Sequence, residues 1–136
     1  MAVDAAGLEI LREEQCLSLL EGTSLGRIAV TVGAVPAIFP INYRLIDGRI
    51  LFRTGDGTKL HQASDHAVVA FEVDEVDPVT HAGWSVLVVG VAKEVREAHA
   101  DAGLDTIPRP WAPGERDHII AITPELVSGR RVADAG

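Results

Sequence analysis

Apolar positions alternate with polar ones along most of the chain, the two-residue rhythm of half-buried strands. Residues 26–32 and 35–43 read as two strands joined at Gly33-Ala34 in a hairpin. Pro36 and Pro40 interrupt the second strand. Proline has no N–H for a ladder, so this strand is expected at an edge or bulged near Pro40, exposing main chain from Ile41 to Tyr43. Asp47-Gly48 is a second hairpin turn, leading into a strand over residues 49–53. Residues 67–73 alternate Phe71 and Val73 against Glu72 and Asp74, and residues 84–95 are apolar on both faces, as in a central strand. Residues 117–123 form the last strand.

Three stretches read as helices. Over residues 11–21, Leu11, Cys16, Leu17, Leu19 and Leu20 share one side, Glu13 and Glu14 favour the first turn, and Gly22 is a stop. Arg12 is a poor N-cap. Residues 58–64 predict a second, shorter helix opening at Thr58, and residues 97–103 a third. Three prolines and a glycine make residues 107–114 irregular. Consecutive hairpins of six or seven short strands, without strand–helix alternation, point to a mainly β fold, a small closed antiparallel barrel. With 136 residues and no repeat or linker, residues 1–136 form one domain.

The formal charge of -8 argues against broad nucleic-acid binding, which needs basic surface. No apolar run approaches the roughly 20 residues of a membrane helix, and the N-terminus lacks the pattern of a secretory signal. Cys16 is the only cysteine, which suits a reducing cytoplasm. It sits on the apolar helix face, either as a small buried hydrophobe or, given a nearby cation, as a reactive thiol.

Against this acidic background, residues 52–60 stand out. Arg53, Thr54, Gly55, Gly57, Thr58 and Lys59 place a guanidinium, two hydroxyls, two glycines and an ammonium in seven residues between a strand and a helix start. Glycine lets backbone N–H groups approach an anion, and Arg and Lys supply charge-assisted donors. The stretch is a candidate phosphate site; the bland alternative pairs Arg53 with an acid such as Asp56 and leaves Lys59 solvated. It lacks the order of a triphosphate loop and the Gly-x-Gly-x-x-Gly dinucleotide pattern.

Other chemistry is weaker. The histidines at 61, 66, 81, 99 and 118 have no metal-ligand spacing, so no metal site is expected. The acidic residues 72–77 lack calcium-loop spacing and read as a solvated strand end. Ser85 lacks the Gly-x-Ser-x-Gly elbow of a serine nucleophile.

Several words, in order over nearly the whole chain, resemble the FMN-binding split-barrel family of pyridoxamine 5'-phosphate oxidase-like proteins, in its short actinobacterial-type branch. They are Leu25-Gly26-Arg27-Ile28-Ala29, Pro40-Ile41-Asn42-Tyr43, Phe52-Arg53-Thr54 with Gly57-Thr58-Lys59-Leu60, Phe71-Glu72-Val73-Asp74, Gly83-Trp84-Ser85-Val86, Pro110-Trp111 and Ser128-Gly129-Arg130-Arg131. The resemblance implies a six-stranded antiparallel split barrel, a homodimer, and FMN at the subunit interface. It implies that Arg53, Thr54, Thr58 and Lys59 hold the flavin phosphate and that the main chain at Pro40, Ile41, Asn42 and Tyr43 lies along the isoalloxazine edge. Trp84 and Ser85 would line the pocket, from the same or the partner subunit, or Trp84 would be a core aromatic. Trp111 would be a lid or a dimer contact.

The likeness to the oxidase itself stops at the fold and the phosphate cradle, so its activity on a pyridoxal-type substrate is not expected. Three readings remain: a flavin-dependent oxidoreductase, a flavin-binding protein without turnover, or a relative that takes FAD, deazaflavin or haem in the same barrel. A deazaflavin's acidic tail would call on Arg27, Arg44, Arg130 and Arg131.

Overall fold

The computed structural model describes residues 2–96, 106–108 and 117–132. Its elements are β1 (Glu9–Ile10), α1 (Glu13–Glu21), β2 (Leu25–Val32), β3 (Val35–Ile46), β4 (Arg49–Gly55), α2 (Lys59–Ser64), β5 (Ala67–Val76), β6 (Gly83–Glu94) and β7 (Asp117–Val132). The strands run β7-β4-β3-β2-β5-β6, and a β6–β7 pairing closes the ring. Every ladder is antiparallel. The expected six-stranded barrel is therefore present, with a seventh strand: β1 adds two residues to the edge of β7 at Arg130 and Arg131.

Both hairpin turns lie where the glycines place them. Asp47 and Gly48 have φ of 52° and 77°, the left-handed pair that a two-residue hairpin requires. The last strand continues well past residue 123, because β7 serves two neighbours: its start follows β4 and most of its length follows β6. Of the other expectations, residues 97–103 lie outside the described residues, as does most of the proline-rich stretch.

The barrel interior is filled from alternate positions of every long strand, among them Ile28, Ile41, Tyr43, Phe52, Phe71, Val88 and Ile122. Leu11, Cys16 and Leu20 bring α1 onto this core. A Cβ at Gly129 would stand 2.6 Å from Cys16 Sγ, so glycine is what lets helix and strand meet. Cys16 is fully buried and desolvation raises its thiol pKa, which selects the inert packing role over the reactive one. Arg12 opens α1 through its backbone, donating its N–H to Gln15 Oε1 at 2.8 Å. Among the described residues no helix is long and apolar enough to cross a membrane.

The β6–β7 register shifts between Val89 and Gly90. A Cβ at Gly90 would meet the Thr123 backbone, its carbonyl carbon at 2.9 Å, and a strand cannot yield there without moving the ladder. Gly90→Ala should lower unfolding free energy by about 1–3 kcal/mol, the scale of overpacking. Urea titration checks this; an unchanged midpoint contradicts it.

Candidate functional site

The cleft arises because β3 changes partners. Residues 35–42 ladder onto β2, and residues 43–46 ladder onto β4. Beyond the Tyr43–Phe52 pair, β4 follows β7 instead. The two strands diverge there, and a cleft of about 280 Å³ opens between them. One wall is Phe39, Pro40, Ile41 and Asn42; the other is Arg53, Thr54 and Gly55, completed by Thr58, Lys59 and Leu60.

The expected edge near Pro40 takes a specific form. The strand runs unbroken through Pro36 and Pro40, with Pro40 opposite Arg27, and is not bulged. The side of residues 35–42 turned away from β2 carries no ladder among the described strands. Prolines are tolerated on that half-open segment for the reason that confines them to edges.

The turn after β4 is held by its own groups. Thr58 Oγ1 donates to the Gly55 carbonyl at 2.9 Å and accepts from the His61 N–H at 3.0 Å, capping α2. Gly57 has φ of 71°, the left-handed region that favours glycine. The Thr58 hydroxyl proton is thus committed to the cap and shapes the turn rather than donating into the cleft. Arg53 Nε donates to the Ile107 carbonyl at 3.0 Å, which steadies the guanidinium at the cleft wall. Lys59 is exposed and forms no ion pair among the described residues. Thr54 is buried, and its Oγ1 is the buried side-chain polar atom left without a hydrogen-bond partner among the described residues.

An unpaired buried hydroxyl destabilises a protein by about 1–3 kcal/mol, so its place in a cleft beside a lysine is informative. Lys59 and Arg53 at the walls of the same cleft supply the charge-assisted donors that an anionic group such as a phosphate needs. The residues of the cleft therefore fit a ligand that carries a phosphate.

Seven of the ten sequence-derived candidates line the cleft: Pro40, Ile41, Asn42, Arg53, Thr54, Thr58 and Lys59. Tyr43 does not. Its ring is buried, its hydroxyl donates to the Leu20 carbonyl at 2.6 Å and contacts Thr23 Oγ1, and its amide donates to Ser24 O at 2.9 Å. The expected exposed main chain thus ends at Asn42. Trp84 and Ser85 open β6, whose other end, Glu94, lies beside the β4 strand's neighbour Ile120. With Arg130, Asp74 and His81 they line a separate depression of about 230 Å³. Trp111 lies outside the described residues.

Sequence spacing missed a cluster behind the anchor turn. His118 Nε2 lies 2.8 Å from Asp56 Oδ1, and its Nδ1 lies 3.0 Å from Glu94 Oε2. His61 Nε2 lies 2.7 Å from Glu94 Oε1, and the two imidazoles stack with centroids 3.9 Å apart. Hydrogen bonds to Glu94 and then Asp56 raise the His118 pKa, and the bond from His61 leads in lowering that of Glu94. One ligand atom each from Asp56, His61 and His118 falls within a 4.8 Å circle. Yet an imidazole lone pair lies in the ring plane, and these planes are only 15° from parallel. Stacked rings do not aim two lone pairs at one ion, so the arrangement favours protons over a metal. The contacts join residues far apart in sequence, and no local spacing announces them.

The arginines that would serve an acidic cofactor tail are largely neutralised. Arg27 faces Glu72 at 3.4 Å and Asp74 at 3.7 Å, Arg130 holds Asp4 at 3.0 Å, and Arg131 faces Glu9 at 3.7 Å. The acidic strand end is thereby a paired surface. Glu72 is pushed up to about 7 by desolvation and by Asp74 beside it.

Comparison with known proteins agrees with this geometry. A family model described as pyridoxamine 5'-phosphate oxidase matches residues 12–131. The uncharacterized protein Rv0080 of Mycobacterium tuberculosis is 36% identical over 127 residues, 90% of this chain and 84% of that protein. Among solved structures, the FAD binding protein from Mycobacterium smegmatis is 38% identical, with a TM-score of 0.77 over 92% of this chain and 100% of that one. A conserved protein of unknown function from Corynebacterium diphtheriae is 32% identical, with a TM-score of 0.74 over 93% and 98%. A ring of six antiparallel strands with a cleft between two of them, and a family model matched over residues 12–131, place this chain in the pyridoxamine 5'-phosphate oxidase-like family.

Proposed function

We propose that the cleft binds a flavin nucleotide and that the protein is a flavin-dependent oxidoreductase. The observation that carries this reading is the buried, unpartnered Thr54 hydroxyl in a cleft rimmed by Lys59. In this reading Thr54, Lys59 and the Arg53 guanidinium hold a phosphate, and the flavin ring lies along the open side of residues 39–42. Phosphate is common to FMN and FAD, so the cradle accommodates either. That the Mycobacterium smegmatis relative is an FAD binding protein supports a flavin here. Bound flavin supplies the electron chemistry. The polar side chains described around the cleft are donors and neutral groups: Arg53, Lys59, Asn42, Thr54 and Thr58. Thr58 shapes the turn and the others bind and orient; none is a carboxylate or imidazole placed to move a proton.

A homodimer belongs to the same proposal. One row across the outer face of five strands is entirely apolar: Ile38, Ala29, Ala70, Val89 and Leu126 are successive cross-strand partners. Ile38 is 68% and Leu126 57% exposed. A contiguous apolar stripe of this kind is suited to a second copy, and such a copy would be the source of Trp84 and Ser85 at the cleft. A lone, unpaired Cys16 suits a cytoplasmic location.

Replacing Thr54 by Val separates the site's two roles. Without flavin, Thr54→Val should leave stability unchanged or raise it by about 1 kcal/mol, because an unsatisfied hydroxyl is removed. FMN and FAD affinity should fall at least about fivefold, the scale of one lost hydrogen bond. A stability loss with unchanged affinity would contradict the assignment. For the charged groups, Arg53→Ala with Lys59→Ala should weaken FMN and FAD far more than riboflavin in fluorescence titrations, whereas equal losses would refute the phosphate site. Leu126→Glu should shift the sedimenting species from dimer to monomer; a monomeric parent chain would remove the dimer.

A further inference from the structure

The apolar row that suits a second copy has a neighbour on the same outer face, two residues along each strand. In it Pro40, Arg27, Glu72, Leu87 and Ser128 are successive cross-strand partners. Asp74 stands one step further along the same face of β5. Arg27 faces Glu72 at 3.4 Å and Asp74 at 3.7 Å, so one guanidinium serves two carboxyl groups. The two carboxyls also hydrogen-bond to each other. Carboxylates only accept, so that bond forms only when one of the two carries a proton.

We propose that this face takes a second copy of the chain when each Glu72–Asp74 pair holds one proton, and that the copies separate as the proton is lost. The inference rests on the homodimer reading of the apolar row.

The face is complementary to itself, which is what a two-fold dimer requires, because the same patch serves both copies. Its apolar row carries no charge to oppose another such row, and the row beside it offers both a cation and acids. Among the described residues the groups around the pair are few. Arg27 approaches from β2, and from β6 the partners of Glu72 and Asp74 are Leu87 and Ser85, which carry no charge. Beyond Ser85, on β7, stands Arg130, engaged by Asp4 at 3.0 Å. Without a proton the face therefore sets two anions against one cation, next to the exposed Leu87 side chain. The two-fold brings that surplus charge into the contact twice, where losing water is costly for a charge without a partner. With one proton per copy the surplus is gone.

The sign follows from Glu72, which is pushed up to about 7 by desolvation and then by Asp74. A second copy removes further water from it, and desolvation raises an acid. Its value in the dimer then lies above its value in the single chain. The gain in association is complete below about pH 7 and is lost as pH rises through the dimer's higher value. The change in dimer dissociation constant should be about tenfold, the scale of two partly exposed ion pairs.

The test is sedimentation of the full chain and its Glu72→Gln and Glu21→Gln variants between pH 6 and 8.5. Glutamine keeps the shape of the protonated acid and its donor toward Asp74. The parent's dissociation constant is divided by the Glu72→Gln value at the same pH, which cancels titration of the histidines. That ratio should be near one at pH 6 and rise about tenfold by pH 8.5. Glu21→Gln makes the same charge change at the exposed end of α1 and should reproduce the parent's profile. In the parent dimer the Glu72 carboxyl carbon, followed by NMR, should titrate above about 7. A flat ratio, a Glu72 that titrates in the ordinary carboxylate range, or a Glu21→Gln profile that matches Glu72→Gln overturns this inference alone. A parent chain that stays monomeric at every pH leaves the face to another occupant and overturns the homodimer reading with it.

Discussion

Everything at the candidate site depends on where β3 lets go of one neighbour and takes another. Tyr43 sets that point. Its phenol is tied to the Leu20 carbonyl on α1, its amide to Ser24, and its ring meets Phe71 edge-on at 4.9 Å and 75°. A residue held from the helix, the backbone and the opposite wall cannot slide, so the ladder to β4 always begins there. The consequence is geometric: residues 39–42 keep an open side, and β4 carries Arg53 and Thr54 past it toward β7. The helix α1, which touches no ligand in this account, thus contributes by fixing the origin of the cleft.

The chemistry of the cleft follows from how little charge the rest of the molecule leaves available. The chain carries a formal charge of -8, and Arg27, Arg130 and Arg131 are each engaged by acids on their own surface. Lys59 has no such partner among the described residues. Its most obvious competitor, Asp56, lies three residues away and is turned toward His118. An acidic protein can therefore present a local anion site without an overall basic surface, provided that nearby acids are given other partners. Thr54 adds a buried hydroxyl, whose lack of a protein partner is a local destabilisation that a bound acceptor would relieve.

Much of the fold was legible because it rests on local chemistry. Asp47-Gly48 forms the left-handed hairpin turn, Thr58 caps α2, and the alternation around Phe71 and Val73 marks the buried face of β5. That Arg53, Thr54 and Lys59 line one cleft was legible for the same reason: they fall within seven consecutive residues. Tertiary pairings were hidden. Proline at 36 and 40 suggested an edge, but not that one strand would be laddered on opposite sides in its two halves. Tyr43 stood in a run with Ile41 and Asn42, and only the packing of α1 shows that its polar groups are already committed. The meeting of His61, Glu94 and His118 draws on α2, β6 and β7 at once, and no sequence spacing encodes it.

The most direct test of the central claim is a crystal structure of the flavin-bound protein. The account predicts a phosphate within hydrogen-bonding distance of Thr54 Oγ1 and Lys59 Nζ, with the ring system against the open side of residues 39–42. A flavin bound elsewhere, with the Thr54 hydroxyl still unpartnered, would contradict it.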